Sequence, residues 1–412
     1  MKSSAFQSAR TAVAVAFATI AALTAALTDA KAQSISSGAS PTLRGTLAEI
    51  PKAAKRDEDG VSQTVVVGVS GGYTNNAGPT FDETSSPVIE TSAFVLHARP
   101  LGEGRLSLQA DLTDREFTSQ SEARNAQFGV QANFALDSAG ISLTLAAARS
   151  VEIDEKITQT SLKVDREWRT ESDRLTPFWS GSLAYLDYTD IDQVFVEFAN
   201  QDDRDRLSAS SQAGVKLQIS EPFSLTAALG VDAKKYVASR DDFLLDRDNQ
   251  SAFASAGIAY EDKGVSASLT YAPVARLYDE TLFRPLFTNT FLAQATLTPT
   301  DWISASATAR YGLEETDFLD ARVMKEFVGI AGFTVTLPDR SSATLEGAYT
   351  HRYFDTVDRI DQKYEIQVRA QKPITDAIKL TAQVGYLLFA TNIGDLSTDQ
   401  TTAMLGIVTT ID

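Results

Sequence analysis

Residues 61–412 repeat a pattern in which apolar positions alternate with small or polar ones, and each alternating run ends in a turn. In the run Arg105–Thr113, for example, Leu106, Leu108 and Leu112 share one face of a strand, and polar side chains occupy the other. Side chains of a β-strand alternate between two faces with a period of two residues. About eighteen such runs behind an export signal predict an all-β fold, a closed antiparallel transmembrane β-barrel whose apolar face meets lipid.

The N-terminus predicts a cleaved export signal. Lys2 and Arg10 supply a basic start, residues 11–27 are apolar and alanine-rich, and residues 30–32 read Ala-Lys-Ala, a typical cleavage site. We therefore expect a signal peptide at 1–32, a periplasmic N-terminal extension at 33–60 and the outer-membrane barrel at 61–412. The extension is either an unstructured lead-in or a lid on the periplasmic mouth, and residues 43–55 could form a short helix.

Connections between the predicted strands alternate in length. The short ones carry Gly, Pro, Asp or Ser, as tight turns require, and the longest is Thr189–Arg206. Outer-membrane barrels place short turns in the periplasm and longer loops outside. An even number of strands then puts both termini in the periplasm.

Aromatic residues predict two girdles at the lipid headgroup levels. The three tryptophans Trp168, Trp179 and Trp302 fall beside short turns. Residues near the opposite strand ends are Tyr73, Phe117, Tyr188, Tyr236, Tyr278, Tyr311, Tyr353 and Phe389. Pro273 lacks an N–H donor and predicts a bulge or an early end to pairing in its strand.

The alternation also assigns side chains to the lumen. Lipid-facing sets include Phe128, Val130, Ala132 and Phe134; Leu225, Ala227, Leu229 and Val231; and Ile366, Val368 and Ala370. Predicted pore-lining residues are Arg105, Asp111, Arg115, Lys163, Asp165, Glu167, Lys216, Asp232, Lys234, Arg310, Glu346, Arg352, Glu365, Arg369 and Lys379, with Arg169 at a strand end. Together they predict a polar, mildly basic wall, which either favours anionic solutes or pairs its charges across strands to hold the wall rigid.

The surplus acid is expected in the loops. Formal net charge is −17, and we assign to loops Asp202, Asp203, Asp205, Asp241, Asp242, Asp246, Asp248, Glu314, Glu315, Asp317, Asp320, Asp355, Asp358 and Asp361. The residues that could narrow the pore lie in the longest loop: Phe195, Phe198, Asp202 and Arg204. Inward-facing glycines should leave room in the lumen: Gly129, Gly214, Gly230, Gly257, Gly332 and Gly385.

Composition and motifs exclude several function classes. Strong acidity argues against nucleic-acid binding, and the lack of cysteine excludes a disulfide framework and a thiolate site. The two histidines, His97 and His351, stand far apart, and no nucleophile elbow or phosphate loop accompanies them. We therefore predict no enzyme, no metal and no cofactor.

The opening strand, Val65–Tyr73, and the overall architecture resemble the putative beta-barrel porin 2 type families of alphaproteobacteria. That resemblance implies a porin-like barrel, and some members are associated with exopolysaccharide genes. The last strand, Gly406–Asp412, is similar to the signal that such barrels present to the assembly machinery, except that Asp412 replaces the terminal aromatic residue.

Three functional hypotheses remain. The first is an outer-membrane channel for small polar solutes, with a preference for anions. The second is an export conduit for an exopolysaccharide that works with periplasmic partners. The third is a structural or adhesive barrel with a blocked lumen. Expected partners are outer-membrane lipid, lipopolysaccharide and the barrel-assembly machinery.

Overall fold

A computed structural model describes residues 61–76, 85–119, 124–136, 138–151, 156–168, 170, 174–189, 205–238, 240, 245–314, 323–355, 358–392 and 397–411. The predicted signal peptide, the N-terminal extension and the predicted constriction residues Phe195, Phe198, Asp202 and Arg204 lie outside these ranges, as do Arg169 and Asp412. Within the described ranges, no helix is long and apolar enough to cross a membrane.

Eighteen strands form one closed antiparallel barrel, as predicted. The strands are β1 Ser62–Thr74, β2 Ser86–Leu101, β3 Gly104–Phe117, β4 Asn125–Leu136, β5 Ile141–Val151, β6 Lys156–Glu167, β7 Leu175–Thr189, β8 Arg206–Gln218, β9 Phe223–Tyr236, β10 Asn249–Asp262, β11 Val265–Tyr278, β12 Leu286–Thr300, β13 Ile303–Glu314, β14 Met324–Thr336, β15 Ser342–Phe354, β16 Ile360–Pro373, β17 Ile378–Thr391 and β18 Ser397–Ile411. Each strand pairs with its neighbours in sequence, and β1 pairs with β18 to close the ring. Closure leaves no strand edge, so the backbone donors and acceptors of the wall are paired within it.

The connections divide the barrel into two ends. Connections after the even-numbered strands have two to seven residues, and those after the odd-numbered strands have four to sixteen. We call these the short-turn end and the long-loop end. Both β1 and β18 meet the rim at the short-turn end. Gly102, Gly140 and Gly264 have φ of 59°, 60° and 78° in three of these turns, and Arg340 has φ of 64° in a fourth.

Gly264 gives a test of this turn geometry. Its φ is positive, and a Cβ built there would overlap the carbonyl oxygen of Thr298. Gly264→Ala should therefore lower the free energy of unfolding by about 1–3 kcal/mol. Gly102→Ala is the matched control, because a Cβ there meets nothing within 4 Å and only the strain of positive φ remains. Urea titration followed by tryptophan fluorescence measures both; equal losses would contradict the role given to Thr298.

The two faces of the wall differ as the alternation predicts. In β1, Ser62, Thr64 and Val66 are buried on the inward face, whereas Val67 and Val69 are exposed on the outward face. In each strand pair, inward-facing residues lie opposite inward-facing residues, so the same alternation of faces continues around the ring. The predicted lipid-facing sets on β4, β9 and β16 all lie on the outward face.

Pro273 neither bulges nor ends its strand, so that prediction was wrong. The ladder between β10 and β11 omits the pairs opposite Ala254 and Ser255, yet the register before and after the gap is the same. On its other side Pro273 pairs with Asn289 in β12. The missing N–H therefore interrupts one ladder locally while the closed ring holds the strand in line.

The girdle prediction holds for only part of the aromatic set. On β12–β16 an outward band comprises Phe291, Tyr311, Phe327, Tyr349 and Tyr364, with neighbouring ring centroids 4.8–6.3 Å apart. The tryptophans lie near the short-turn end, and Tyr73 and Tyr353 are exposed on the outward face. The correction concerns five residues that face the lumen instead: Phe117, Tyr188, Tyr236, Tyr278 and Phe389.

Candidate functional site

The inner wall of the barrel is the candidate site, and the structure places all fifteen predicted pore-lining residues on its inward face. They are Arg105, Asp111 and Arg115 on β3; Lys163, Asp165 and Glu167 on β6; Lys216 on β8; Asp232 and Lys234 on β9; Arg310 on β13; Glu346 and Arg352 on β15; Glu365 and Arg369 on β16; and Lys379 on β17. Whether each lines a conducting path stays a prediction.

Eight further charged residues face inward that the sequence pattern did not predict: Glu90, Arg206, Glu261, Arg276, Glu314, Glu326, Asp361 and Lys363. Glu314 and Asp361 belong to β13 and β16, so their assignment to loops was wrong. With these additions, the described inward face carries twelve basic and eleven acidic side chains. The wall is close to neutral, so the position of each charge matters more than the total.

Glu326 is the centre of the largest ion-pair cluster in the described wall. Its side chain is 5% exposed and lies between two arginines. Arg310 contacts one carboxylate oxygen, and Nε of Arg352 donates to the other at 2.9 Å. Arg310 also bonds Glu314 at 2.7 Å. Two cations share three oxygens from two carboxylates across β13, β14 and β15, which ties these strands together near the long-loop end.

Other inward charges near the long-loop end are also paired. Arg115 donates from Nη2 to Glu90 at 2.6 Å, and the Glu90 side chain has no exposed surface. On β16, Lys363 contacts Glu365. Arg359 bonds Asp361 at 2.9 Å. Arg115–Glu90 joins β2 and β3, whereas the other two pairs lie along β16, so charge in this half of the wall is largely paired locally.

Two inward-facing tyrosines hold a buried arginine. The guanidinium of Arg206 lies 5.5 Å from the Tyr188 ring centroid and 5.9 Å from that of Tyr236. A cation over an aromatic face is stabilised by the ring quadrupole, and more so when water is excluded. These rings are part of the inner wall, which is why they are absent from the lipid girdle.

Apolar side chains also occupy the inward face beside the predicted polar and charged residues. Val66, Phe94 and Val408 form one buried cluster with Leu96 packed against it. Val88, Phe117 and Met404 form a second. Both clusters lie on or beside the seam where β18 meets β1.

Two of the inward glycines accommodate a neighbour instead of leaving open space. A Cβ at Gly129 would lie 2.9 Å from an oxygen of Asp111, and one at Gly230 would overlap the ring of Phe253. Both neighbours sit on adjacent strands and point along the wall. At these two positions the expectation of free space was wrong.

Charges at the short-turn mouth differ from those deeper in the wall. Arg105, Lys216 and Lys379 lie within three residues of a strand end there, and the acidic inward residues at the same level are Glu167, Glu261 and Asp165. Asp165 is paired with Lys163 at 3.0 Å, and none of the other five forms an ion pair with another described residue. Those five are half-buried or exposed, so a solute at this mouth meets three basic and two acidic side chains outside ion pairs, a net positive rim.

At the long-loop end, three carboxylates approach one another. Asp246, Asp248 and Asp279 can bring one oxygen each within 4.8 Å. Asp248 already accepts the Tyr236 backbone N–H at 2.8 Å and contacts Lys235. Nearby, the backbone N–H groups of Leu282 and Asp246 hold the pKa of Glu280 below its ordinary value. The carboxylates of Asp248 and Glu280 are thus engaged by protein donors.

The two histidines do not build a catalytic set. His351 faces outward, with its Nδ1 3.3 Å from the Tyr349 hydroxyl inside the aromatic band, and His97 faces outward on β2. A closed 18-strand barrel with an apolar outer band and a charged interior defines an outer-membrane β-barrel. Within that class, the chain belongs to the Putative beta-barrel porin 2 family, whose model matches residues 67–410.

Solved structures that the chain resembles come from two organisms. OccK3 (OpdO) from Pseudomonas aeruginosa is 13% identical, with a TM-score of 0.45 over 85% of this chain and 95% of that one. OccK1 (OpdK) from the same organism is 8% identical, with a TM-score of 0.47 over 85% and 98%. OccAB4 from Acinetobacter baumannii is 9% identical, with a TM-score of 0.44 over 88% and 100%. No curated protein matches the chain.

Proposed function

We propose that this porin-like outer-membrane channel passes small polar solutes passively and prefers anions. The observation that carries the proposal is the rim at the short-turn end, where Arg105, Lys216 and Lys379 face inward without a described ion-pair partner. Fixed positive charge at a pore mouth raises the local concentration of anions and lowers the electrostatic cost of their entry. The electric fields of paired charges deeper in the wall largely cancel at a distance, so those charges contribute less to anion selectivity.

Ion selectivity in planar bilayers tests this proposal. The triple variant Arg105→Gln, Lys216→Gln, Lys379→Gln should lower the anion-to-cation permeability ratio about two- to fivefold, with the larger effect at low salt because screening is weaker there. Reversal potentials in a salt gradient measure the ratio. Conductance should change little, because glutamine preserves most of the side-chain volume.

A control substitution at the same mouth should change the anion-to-cation permeability ratio in the opposite direction. Glu167→Gln removes one of the acidic residues of the rim and should raise the anion preference. Cation selectivity of the unmodified channel, or equal ratios in all three proteins, would contradict the proposal. An absence of current from the purified barrel would instead favour a blocked lumen.

We further propose that the short-turn end faces the periplasm, with both termini there. The support is that β1 and β18 reach the same rim as the short turns. A cysteine at Lys263, in the turn between β10 and β11, should then escape an impermeant thiol reagent in intact cells. Labelling in intact cells would reverse the orientation. The export conduit and the partners named from the sequence stay predictions.

A further inference from the structure

A row of carboxylates and hydroxyls crosses the inner wall, starting at the short-turn mouth. We call it the polar row, and its members on β10 to β15, in spatial order, are Glu261, Ser266, Thr296, Ser306, Gly332 and Glu346. Each is the direct cross-strand partner of the next, so all six face the lumen along one line. Neighbouring strands lie about 4.8 Å apart, so the row is about 24 Å long.

The hydroxyls of the polar row are unusually open to the lumen. Within the described strands, the inward-facing serines, threonines and amides that are fully exposed lie only on β11–β13, where they include Ser266, Thr296 and Ser306. Inward hydroxyls on other strands are more covered; Ser180 on β7 is 6% exposed and Thr226 on β9 is 4% exposed. A solute in the lumen can therefore reach the hydroxyls of the row directly.

The polar groups of the row are also free to bind a solute. In the described part of the chain, no hydrogen bond or ion pair engages the side chains of Glu261, Ser266, Thr296, Ser306 and Glu346. Thr290 gives the contrast on the same face of β12, because its hydroxyl donates to the Ala272 carbonyl oxygen at 3.1 Å. The row thus offers donors and acceptors that the wall itself does not use.

Two features give the row room for a ligand. At Gly332 the missing side chain leaves a gap, since a Cβ there would lie 3.4 Å from the Ser306 hydroxyl and 4.0 Å from Oε2 of Glu346. At the mouth, an open cavity of about 630 Å³ reaches the start of the row, and its lining includes Glu221, Glu261, Lys263, Ser266 and Thr296. Small-molecule sites usually have volumes of about 300–1,000 Å³.

We propose that the polar row binds neutral polyhydroxylated solutes of the size of small oligosaccharides and guides them along the wall. Solute hydroxyls would donate to the carboxylates of Glu261 and Glu346 and exchange hydrogen bonds with the hydroxyls between them. Two unpaired carboxylates repel an anion but not a neutral solute. Each contact replaces one with water and is individually weak, which favours passage over trapping. This inference rests on the proposal that the barrel is an open channel, but not on its anion preference.

Block of the ion current by maltotriose tests the row. Added to the purified barrel in a planar bilayer, maltotriose should reduce the current with a saturating concentration dependence. A polyethylene glycol of equal mass, which has few hydroxyls, should reduce it without saturation. The double variant Ser266→Ala, Thr296→Val should weaken maltotriose binding about fivefold, and Glu261→Gln about three- to tenfold. Thr290→Val is the matched control and should stay within about twofold of the unmodified barrel, because its hydroxyl is already bonded within the wall.

The outcomes separate this inference from the channel proposal. Each variant is first shown to be folded by the heat-dependent gel migration of intact barrels. Ion current without block by maltotriose, or equal block in the double variant and in Thr290→Val, overturns the polar row and leaves the channel standing. Block by spermidine at lower concentrations than maltotriose also overturns it, because the carboxylates would then select cations.

A second readout does not need conduction. If the barrel carries no current, the channel proposal fails, and saturation-transfer NMR of maltotriose with the barrel in micelles decides the row as a binding site. Transfer to maltotriose that falls in the double variant but not in Thr290→Val supports the site. An absence of transfer overturns it.

Discussion

Replacing Gly72 by alanine is expected to prevent stable closure of the barrel. Gly72 pairs with Met404 across the seam between β1 and β18. A Cβ there would lie 2.8 Å from both the Ala403 carbonyl carbon and the Met404 Cα, and closer still to the Ala403 oxygen. These are backbone atoms, which cannot rotate away. The seam strands would have to separate locally, at a cost of about 3 kcal/mol or more.

The measurement is the fraction of protein that reaches the folded, heat-modifiable form, followed by urea titration of any folded material. Gly71→Ala is the matched control, since a Cβ at that position comes no nearer than 4.0 Å to the closest atom, the Val88 oxygen. Gly71→Ala should fold as the unmodified chain does. Similar yields for the two variants would show that the seam relaxes more easily than its geometry indicates.

Glu326→Gln should produce the second large effect, a loss of about 2–4 kcal/mol in the free energy of unfolding. The substitution keeps the shape of the side chain and removes the charge that Arg310 and Arg352 share. A buried carboxylate between two guanidiniums stabilises only when both remain paired with it. The lower part of the range allows for Arg310, whose side chain is 45% exposed and screened by solvent.

Glu314→Gln is the corresponding control. It removes the same charge from the same cluster but contacts only Arg310, so the expected loss is less than about 1 kcal/mol. Urea midpoints in detergent micelles, read from tryptophan fluorescence, compare the two variants. If both lose the same amount, the cluster does not depend on the central position of Glu326.

Much of the fold could be predicted because strand alternation and turn chemistry are local signals. Alternating leucines in β3 identify its outward face, and the parity then fixes Arg105, Asp111 and Arg115 on the other. The same reasoning placed every predicted pore-lining residue on the inward face. Closure, by contrast, depends on β1 and β18, whose pairing joins residues more than 300 positions apart.

The aromatic errors have a specific cause. The distance from a turn predicts how far along the barrel axis a residue lies, but whether it faces lipid or lumen depends on its odd or even position in the strand. Tyr236 lies on the same strand face as Lys234, and Phe117 lies on the same face as Arg115. Because each of these aromatics lies two residues from a residue already assigned to the lumen, counting in steps of two would have placed it correctly.

Glu326 has a weak signal in the sequence. Both faces of β14 carry apolar side chains, with Val328 and Ile330 inward and Phe327 and Phe333 outward. Alternation is weak where both faces are apolar. The ion pairs with Arg310 and Arg352 join three strands, and no sequence spacing within one strand predicts such a contact.

The ring of hydrogen bonds gives no strand a special place, because β1 and β18 are bonded to each other as any two neighbours are. Both ends of the strand set reach the same rim. A gene that joined them through a short linker and opened the chain at Lys263-Gly264 would encode a circular permutant with β11 first and β10 last. Such a chain would carry the same wall and the same mouth charges while separating the order of synthesis from the finished architecture.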